Sequence, residues 1–124
     1  MDLTPGCASA SHLVMPNDTN PLGTLFGGRA VEWMDILAGL AAMRLSHKYA
    51  VTASIERLDF RIPIRSGDIA VVEAKVVSVG RSSLVVNVDV FRDEPKEGLK
   101  ELCTSGLFHM VALDEHGKPT PVFG

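Results

Sequence analysis

The sequence predicts an α+β domain in which one antiparallel sheet packs on one long helix. Two observations carry that expectation. A single long apolar run, Ala30 to Leu45, follows a loop crowded with turn formers. Four segments with strand-like composition or alternation come after it, at Ala50–Ile62, Ile69–Ser78, Ser83–Arg92 and Leu102–Leu113. A chain of 124 residues makes one domain, residues 1–124, with enough material for its own core.

The elements follow in order. Residues 1–8 read as loose, and Ser9–Met15 as a short first strand. Pro16, Asn17, Asp18, Asn20, Pro21 and Gly23 are turn formers, so no strand or helix is expected to start before about Thr24. Gly27 and Gly28 free the backbone for a tight entry into the helix. Val31, Trp33, Met34, Ile36, Leu37, Leu40 and Met43 make that helix apolar on almost every side, and it is too short and too charged to span a bilayer. It ends near Lys48, where His47 and Lys48 suit the negative end of the helix dipole. Pro63 stops the next strand. Val72, Ala74 and Val76 oppose Glu73 and Lys75 in one alternating run, and Leu84, Val86, Val88 and Val90 oppose Asn87 and Asp89 in the next. Gly80 and Arg81 lie between these runs, which makes a hairpin. Asp93–Gly98 is a charged loop, and Asp114–Gly124 a tail. A helix apolar all round needs more cover than one sheet gives, so a second copy of the chain is expected against it.

Composition excludes several functions. The content is 46% hydrophobic and 22% charged, with a net charge of −3 and interspersed signs. No basic patch or interleaved aromatics suggest nucleic acid binding. No signal peptide or membrane span is read, and Cys7 and Cys103 fit a reducing, cytoplasmic setting better than a disulfide framework. His12, His47, His109 and His116 are scattered without metal-ligand spacing, so no metal is expected. His109 alternates with Phe108 and Met110 and is expected on the opposite face of the sheet. Cys103 reads as a small core residue. Gly23–Arg29 lacks the Lys-Ser/Thr pair of a phosphate loop, and no Gly-x-Ser-x-Gly elbow occurs.

Asp35 is the residue the apolar run does not explain. A buried carboxylate needs partners or a shifted pKa. It either faces solvent with Glu32 and Arg44, or serves as a catalytic base or acid near a helix start. Gly80-Arg81-Ser82-Ser83 also has two readings, of which the phosphate site is favoured. It is a plain turn with a solvated Arg, or a phosphate site whose planar guanidinium matches phosphate oxygens.

The segment from Asn17 through Gly28, followed by Glu32-Trp33-Met34-Asp35, resembles the signature of hotdog-fold acyl-CoA thioesterases of the cytosolic acyl-CoA hydrolase type. The likeness runs on through Val51–Ser54, Asp59-Phe60, Pro63, Gly67-Asp68, Gly80–Ser83 and Met110–Asp114. Pro21 and Leu22 depart from it, standing where many members carry His or Ser. The resemblance implies a sheet wrapped around one long helix and hydrolysis of acyl-CoA with no cofactor. It implies Gly27 and Gly28 as donors to the thioester oxygen, and Asp35 as general base or nucleophile. Asn20 would position the water or carbonyl, and Arg81 with its turn would meet coenzyme A phosphates. Thr52 and Ser54 would be supporting residues. It further implies a homodimer as the smallest unit, with higher assembly such as a trimer of dimers, and sites that take Asn20 from one chain and Asp35 from the other. A non-catalytic acyl-CoA sensor on the same fold is the alternative, and a hotdog dehydratase lacks its His near the helix entry.

Overall fold

The computed structural model describes residues 2–124. Strand β1 (Cys7–Leu13) leads through a single 3-10 turn at Pro16–Asp18 to helix α1 (Gly27–Ser46). Strands β2 (Tyr49–Phe60), β3 (Ile69–Val79), β4 (Ser83–Glu94) and β5 (Leu99–Leu113) follow. They form one five-stranded sheet in the order β1-β3-β4-β5-β2, with every neighbouring pair antiparallel. The sheet wraps α1, which touches all five strands. This is the hotdog arrangement.

Alternation builds the core. Ala70, Val72, Ala74 and Val76 on β3 and Leu84, Val86, Val88 and Val90 on β4 point at the helix and are buried. Phe108, Met110 and Ala112 on β5 do the same. Ala38, Ala41 and Ala42 on α1 are fully buried, and their small side chains let helix and sheet approach closely. Phe108 is the largest of the fully buried side chains, and its truncation to Ala would cost about 3–5 kcal/mol. His109 faces the other side of the sheet, where its Nε2 lies 2.7 Å from Glu56 Oε1.

Several boundaries differ from those the sequence suggests. β1 starts at Cys7 because Cys7 and Ala8 pair with Lys75 and Ala74. Gly6 is buried ahead of it, where an added Cβ would sit 2.7 Å from Val76 Cγ2. Met15 lies outside β1. The turn-rich loop holds the 3-10 turn at Pro16–Asp18, since Pro at its first position suits a helical start. α1 begins three residues before Ala30 and ends at Ser46, where His47 adopts a left-handed conformation (φ 58°) and its N–H caps Met43 O. β4 and β5 extend into the charged loop and pair as far as Glu94 with Leu99.

Helix α1 is covered on one side only. Ile36 is 56% exposed, and Val31, Leu40 and Met43 are half-buried. Beside it runs the free edge of β2, along which Tyr49, Val51 and Phe60 are exposed. β2 bulges twice against β5, at Ala53 and at Arg57–Leu58, and Arg57 takes φ 54°.

Candidate active site

The loop before α1 is held by its own polar side chains. Asn20 Oδ1 accepts the N–H groups of Leu22 (2.9 Å) and Thr24 (3.2 Å), and Asn20 Nδ2 donates to Thr24 Oγ1 (2.8 Å). An amide carries two N–H donors, so Asn20 keeps one of them for a ligand while its oxygen is already engaged. Asn20 is therefore positioned as a donor, and the reading in which it also accepts from a water loses its oxygen. The buried Asp18 closes the loop from the other side. Its Oδ2 accepts Met15 N–H (2.9 Å), its carbonyl accepts Phe26 N–H (2.9 Å), and its Oδ1 lies 3.6 Å from Arg29 Nη1.

Helix α1 opens with two unpaired donors. Phe26 is the N-cap, and the Arg29 and Ala30 N–H groups fold back onto Phe26 O. Among the described residues no acceptor meets the N–H of Gly27 or Gly28. Such groups at a helix start carry the positive end of the dipole and suit developing negative charge. Gly27 lines a cleft of about 300 Å³ between the helix start and the end of β2, with Leu25, Ala30, Phe60, Ile64 and Thr104 among its walls.

Asp35 lies further along α1, open to solvent in the single chain. Thr52 on β2 donates its hydroxyl to Asp35 Oδ1, and Thr52 Oγ1 is 3.3 Å from Met110 Sδ. The carboxylate is thus exposed but held. Asp35 stands eight residues after Gly27, and a rise of 1.5 Å per residue separates the two positions by about 12 Å along the axis. One chain does not bring the glycine donors and Asp35 to a common carbonyl.

Thr52 and Ser54 part company. Simple alternation puts both on one face, but the bulge at Ala53 inserts a residue between them. Thr52 pairs with the inward Met110, and Ser54 with the outward His109. Ser54 is exposed on the outer face of the sheet, away from Asp35, which corrects its expected place beside Thr52.

The β3–β4 turn places Gly80, Arg81, Ser82 and Ser83 at one end of the sheet. Gly80 N–H donates to Ser83 O (2.8 Å), Ser82 O accepts Ala112 N–H, and Arg81 O accepts Val122 N–H from the tail. Arg81 is exposed, and its guanidinium has no carboxylate partner among the described residues. Ser83 is in register with Val111, and Val111 with Val51. The turn therefore sits at the level of Thr52, two strands away, or about 10 Å.

Three participants escape a sequence reading. Thr24 and Asp18 hold the loop, yet look like any turn residues; the spacing Asn-x-x-x-Thr is the only signal for the first. Thr104 lines the cleft from β5 and looks like an ordinary strand residue. Cys103 next to it is buried, and that burial pushes its thiol pKa up, which suits a core residue. Among the described residues no cluster of His, Cys, Asp or Glu could hold a metal ion, and no helix is long and apolar enough to cross a membrane.

Residues 22–99 match the thioesterase superfamily. Over 109 residues the chain is 40% identical to the uncharacterized acyl-CoA thioester hydrolase YkhA of Bacillus subtilis, covering 88% of this chain and 63% of that one. The chain thus spans less than two thirds of YkhA. Over 127 residues it is 36% identical to the acyl-CoA thioester hydrolase YciA of Salmonella typhimurium, covering 98% of this chain and 95% of that one. The acyl-CoA hydrolase of Staphylococcus aureus, solved with butyryl coenzyme A and coenzyme A, superposes with a TM-score of 0.93 at 34% identity, over 98% of this chain and 74% of that one. Alanine variants of an Asn, an Asp and a Thr in that enzyme have also been solved. An acyl-CoA thioesterase described as an apo hexamer gives a TM-score of 0.94 at 38% identity, over 98% and 78% of the two chains. With its sheet wrapped on one helix and its match to these hydrolases over nearly its whole length, the chain belongs to the thioesterase superfamily.

Proposed function

We propose that this protein hydrolyses acyl-CoA thioesters, releasing a fatty acid and coenzyme A, at sites built between two copies of the chain. The observation that carries the reading is the Asp35 carboxylate held by Thr52 on a largely apolar helix. In the Staphylococcus aureus hydrolase the Asn, Asp and Thr chosen for replacement follow one another at intervals of 15 and 17 residues. Asn20, Asp35 and Thr52 keep both intervals.

The chemistry needs a polarised carbonyl and an attacking oxygen. The Gly27 and Gly28 N–H groups donate to the thioester oxygen, where charge grows as the carbonyl carbon becomes tetrahedral. The spare Nδ2 hydrogen of Asn20 helps fix the carbonyl or the water. Asp35 takes a proton from water as general base, or attacks the carbon itself to give an anhydride that water then opens. Thr52 orients the carboxylate. Arg81, with the hydroxyls of Ser82 and Ser83, meets coenzyme A phosphates at the β3–β4 turn. Water is the only co-reactant, so no cofactor enters. Ser54, on the outer face, is left out of this site.

The roughly 12 Å between Gly27 and Asp35 on one helix is the reason to place them in different chains. The uncovered face of α1 and the free edge of β2 give a partner its seat, and a two-fold dimer makes two equivalent sites. Relatives described as hexamers suit a trimer of such dimers, working in the cytoplasm. The test is a panel of acyl-CoAs read by free-thiol release, with Asp35→Asn alongside. Wild type should turn over several of them, and the variant should lose about 10²–10⁴-fold in kcat with its melting temperature unchanged. Binding without turnover across the panel would make the protein a sensor, and full activity in the variant would remove Asp35 from the chemistry.

A further inference from the structure

We propose that the cleft beside the start of α1 takes the acyl chain, and that Thr104 sets its specificity by favouring chains that carry an oxygen over plain aliphatic ones. The proposal rests on the thioesterase reading and names a substrate class for that site.

The cleft joins the reacting end directly. Gly27 forms part of its wall and bears one of the two unpaired N–H groups. A carbonyl held there would send its chain between Leu25, Ala30, Phe60 and Ile64, which are apolar. The volume of about 300 Å³ admits a chain of several carbons.

Thr104 is the unexplained part of that wall. It lies on β5 across from Phe60 on β2 and Val90 on β4, on the face toward α1. The residue as a whole is only 4% exposed, but its hydroxyl is not enclosed and unpaired, as Arg92 Nε is among the described residues; it lines the cleft with no protein partner in the hydrogen bonds of the described residues. Valine has the same shape and the same strand preference, and would bury no hydroxyl. The other polar side chains of the cleft each have a partner within the chain. Thr24 Oγ1 accepts from Asn20, and the Arg61 guanidinium lies 3.4 Å from Asp59 Oδ2. Thr104 thus presents a hydroxyl without a protein partner to the cleft from its β5 wall. A hydroxyl or keto oxygen on the acyl chain satisfies it, whereas a methylene desolvates it without return.

The test compares matched pairs of CoA thioesters from four to eight carbons, plain and with a hydroxyl moved one carbon at a time along the chain. Wild type should show a kcat/KM preference of about tenfold for the hydroxylated member at one position. Thr104→Val should abolish it, by raising the plain chain and lowering the hydroxylated one, while Thr104→Ser should keep it. Melting temperatures identify any variant whose fold has suffered, and Thr104→Ala, which also removes the hydroxyl and should also abolish the preference, then replaces Thr104→Val in the comparison. Phe60→Trp narrows the cleft from the β2 edge and, with the oligomeric state shown unchanged by sedimentation, should reduce octanoyl-CoA turnover more than acetyl-CoA turnover. The same hydroxyl-to-plain ratio in wild type and Thr104→Val at every position overturns the role of Thr104. Equal loss on both chain lengths in Phe60→Trp overturns the cleft as the acyl site. A wild type that releases no thiol from any acyl-CoA overturns the thioesterase reading instead.

Discussion

Replacing Gly27 with proline isolates one donor of the site. Gly27 is the first residue of α1, a position where proline's fixed φ suits the helix and its missing N–H costs no intrahelical bond. Phe26 before it already has φ −63° and ψ 129°, the extended form that a following proline requires. A Cβ at Gly27 meets only the Phe60 ring, at an ordinary 3.7 Å. The substitution therefore deletes one N–H and disturbs little else. The unfolded chain loses freedom, so stability should hold or rise by about 0.4–1 kcal/mol. For a domain of this size that is roughly 2–5 °C in Tm. Activity should move the opposite way. Removing one donor from a site that stabilises a developing oxyanion costs about 10²–10³ in kcat. The assay is thiol release from the best acyl-CoA, with a thermal melt of the same preparation. A kcat within about twofold of wild type at an unchanged or higher Tm would show that this N–H does not hold the oxyanion. A Tm several degrees lower would show that the backbone argument itself is wrong.

Other predictions concern the assembly and the coenzyme A end. Arg81→Ala should raise KM for acyl-CoA more than it lowers kcat, because its contact lies away from bond breaking; the effect should shrink for pantetheine thioesters without nucleotide phosphates, and equal loss on both would argue against a phosphate contact. Chains with Gly27→Pro and with Asp35→Ala, each nearly inactive alone, should recover to roughly a quarter of wild-type activity when co-refolded. Half of randomly paired dimers are mixed, and each mixed dimer has one intact site of two. No recovery, with exchange of chains verified, would put both residues of a site back in one chain.

The fold was largely legible because its signals are periodic. The alternations on β3 and β4 placed seven buried residues on one face, and the apolar run placed α1. Asp35 stood out because a carboxylate in such a run requires explanation, although the isolated chain leaves it exposed. What escaped was set by single-residue irregularities. Ala53 adds one residue to β2 and turns Ser54 to the opposite face from Thr52, and no composition signal marks it. Asn20 looked like a residue free to meet substrate, yet three hydrogen bonds commit most of its amide to the loop. Thr104 was silent for another reason: threonine is at home in a strand, and only its surroundings make its hydroxyl unusual.

The two bulges of β2 have a consequence for solubility. An exposed edge strand with Tyr49, Val51, Ile55 and Phe60 along it is a template for uncontrolled stacking. Fibrous zippers use straight segments of about six or seven residues. The bulges divide β2 into shorter regular runs, Tyr49–Thr52, Ser54–Glu56 and Asp59–Phe60, with a left-handed Arg57 between the last two. A bent edge cannot repeat its ladder indefinitely along a fibril axis. It can still meet a second copy bent in the same way about a two-fold axis, and that contact closes after one partner. The same irregularity that parts Ser54 from Thr52 therefore guards the edge against aggregation.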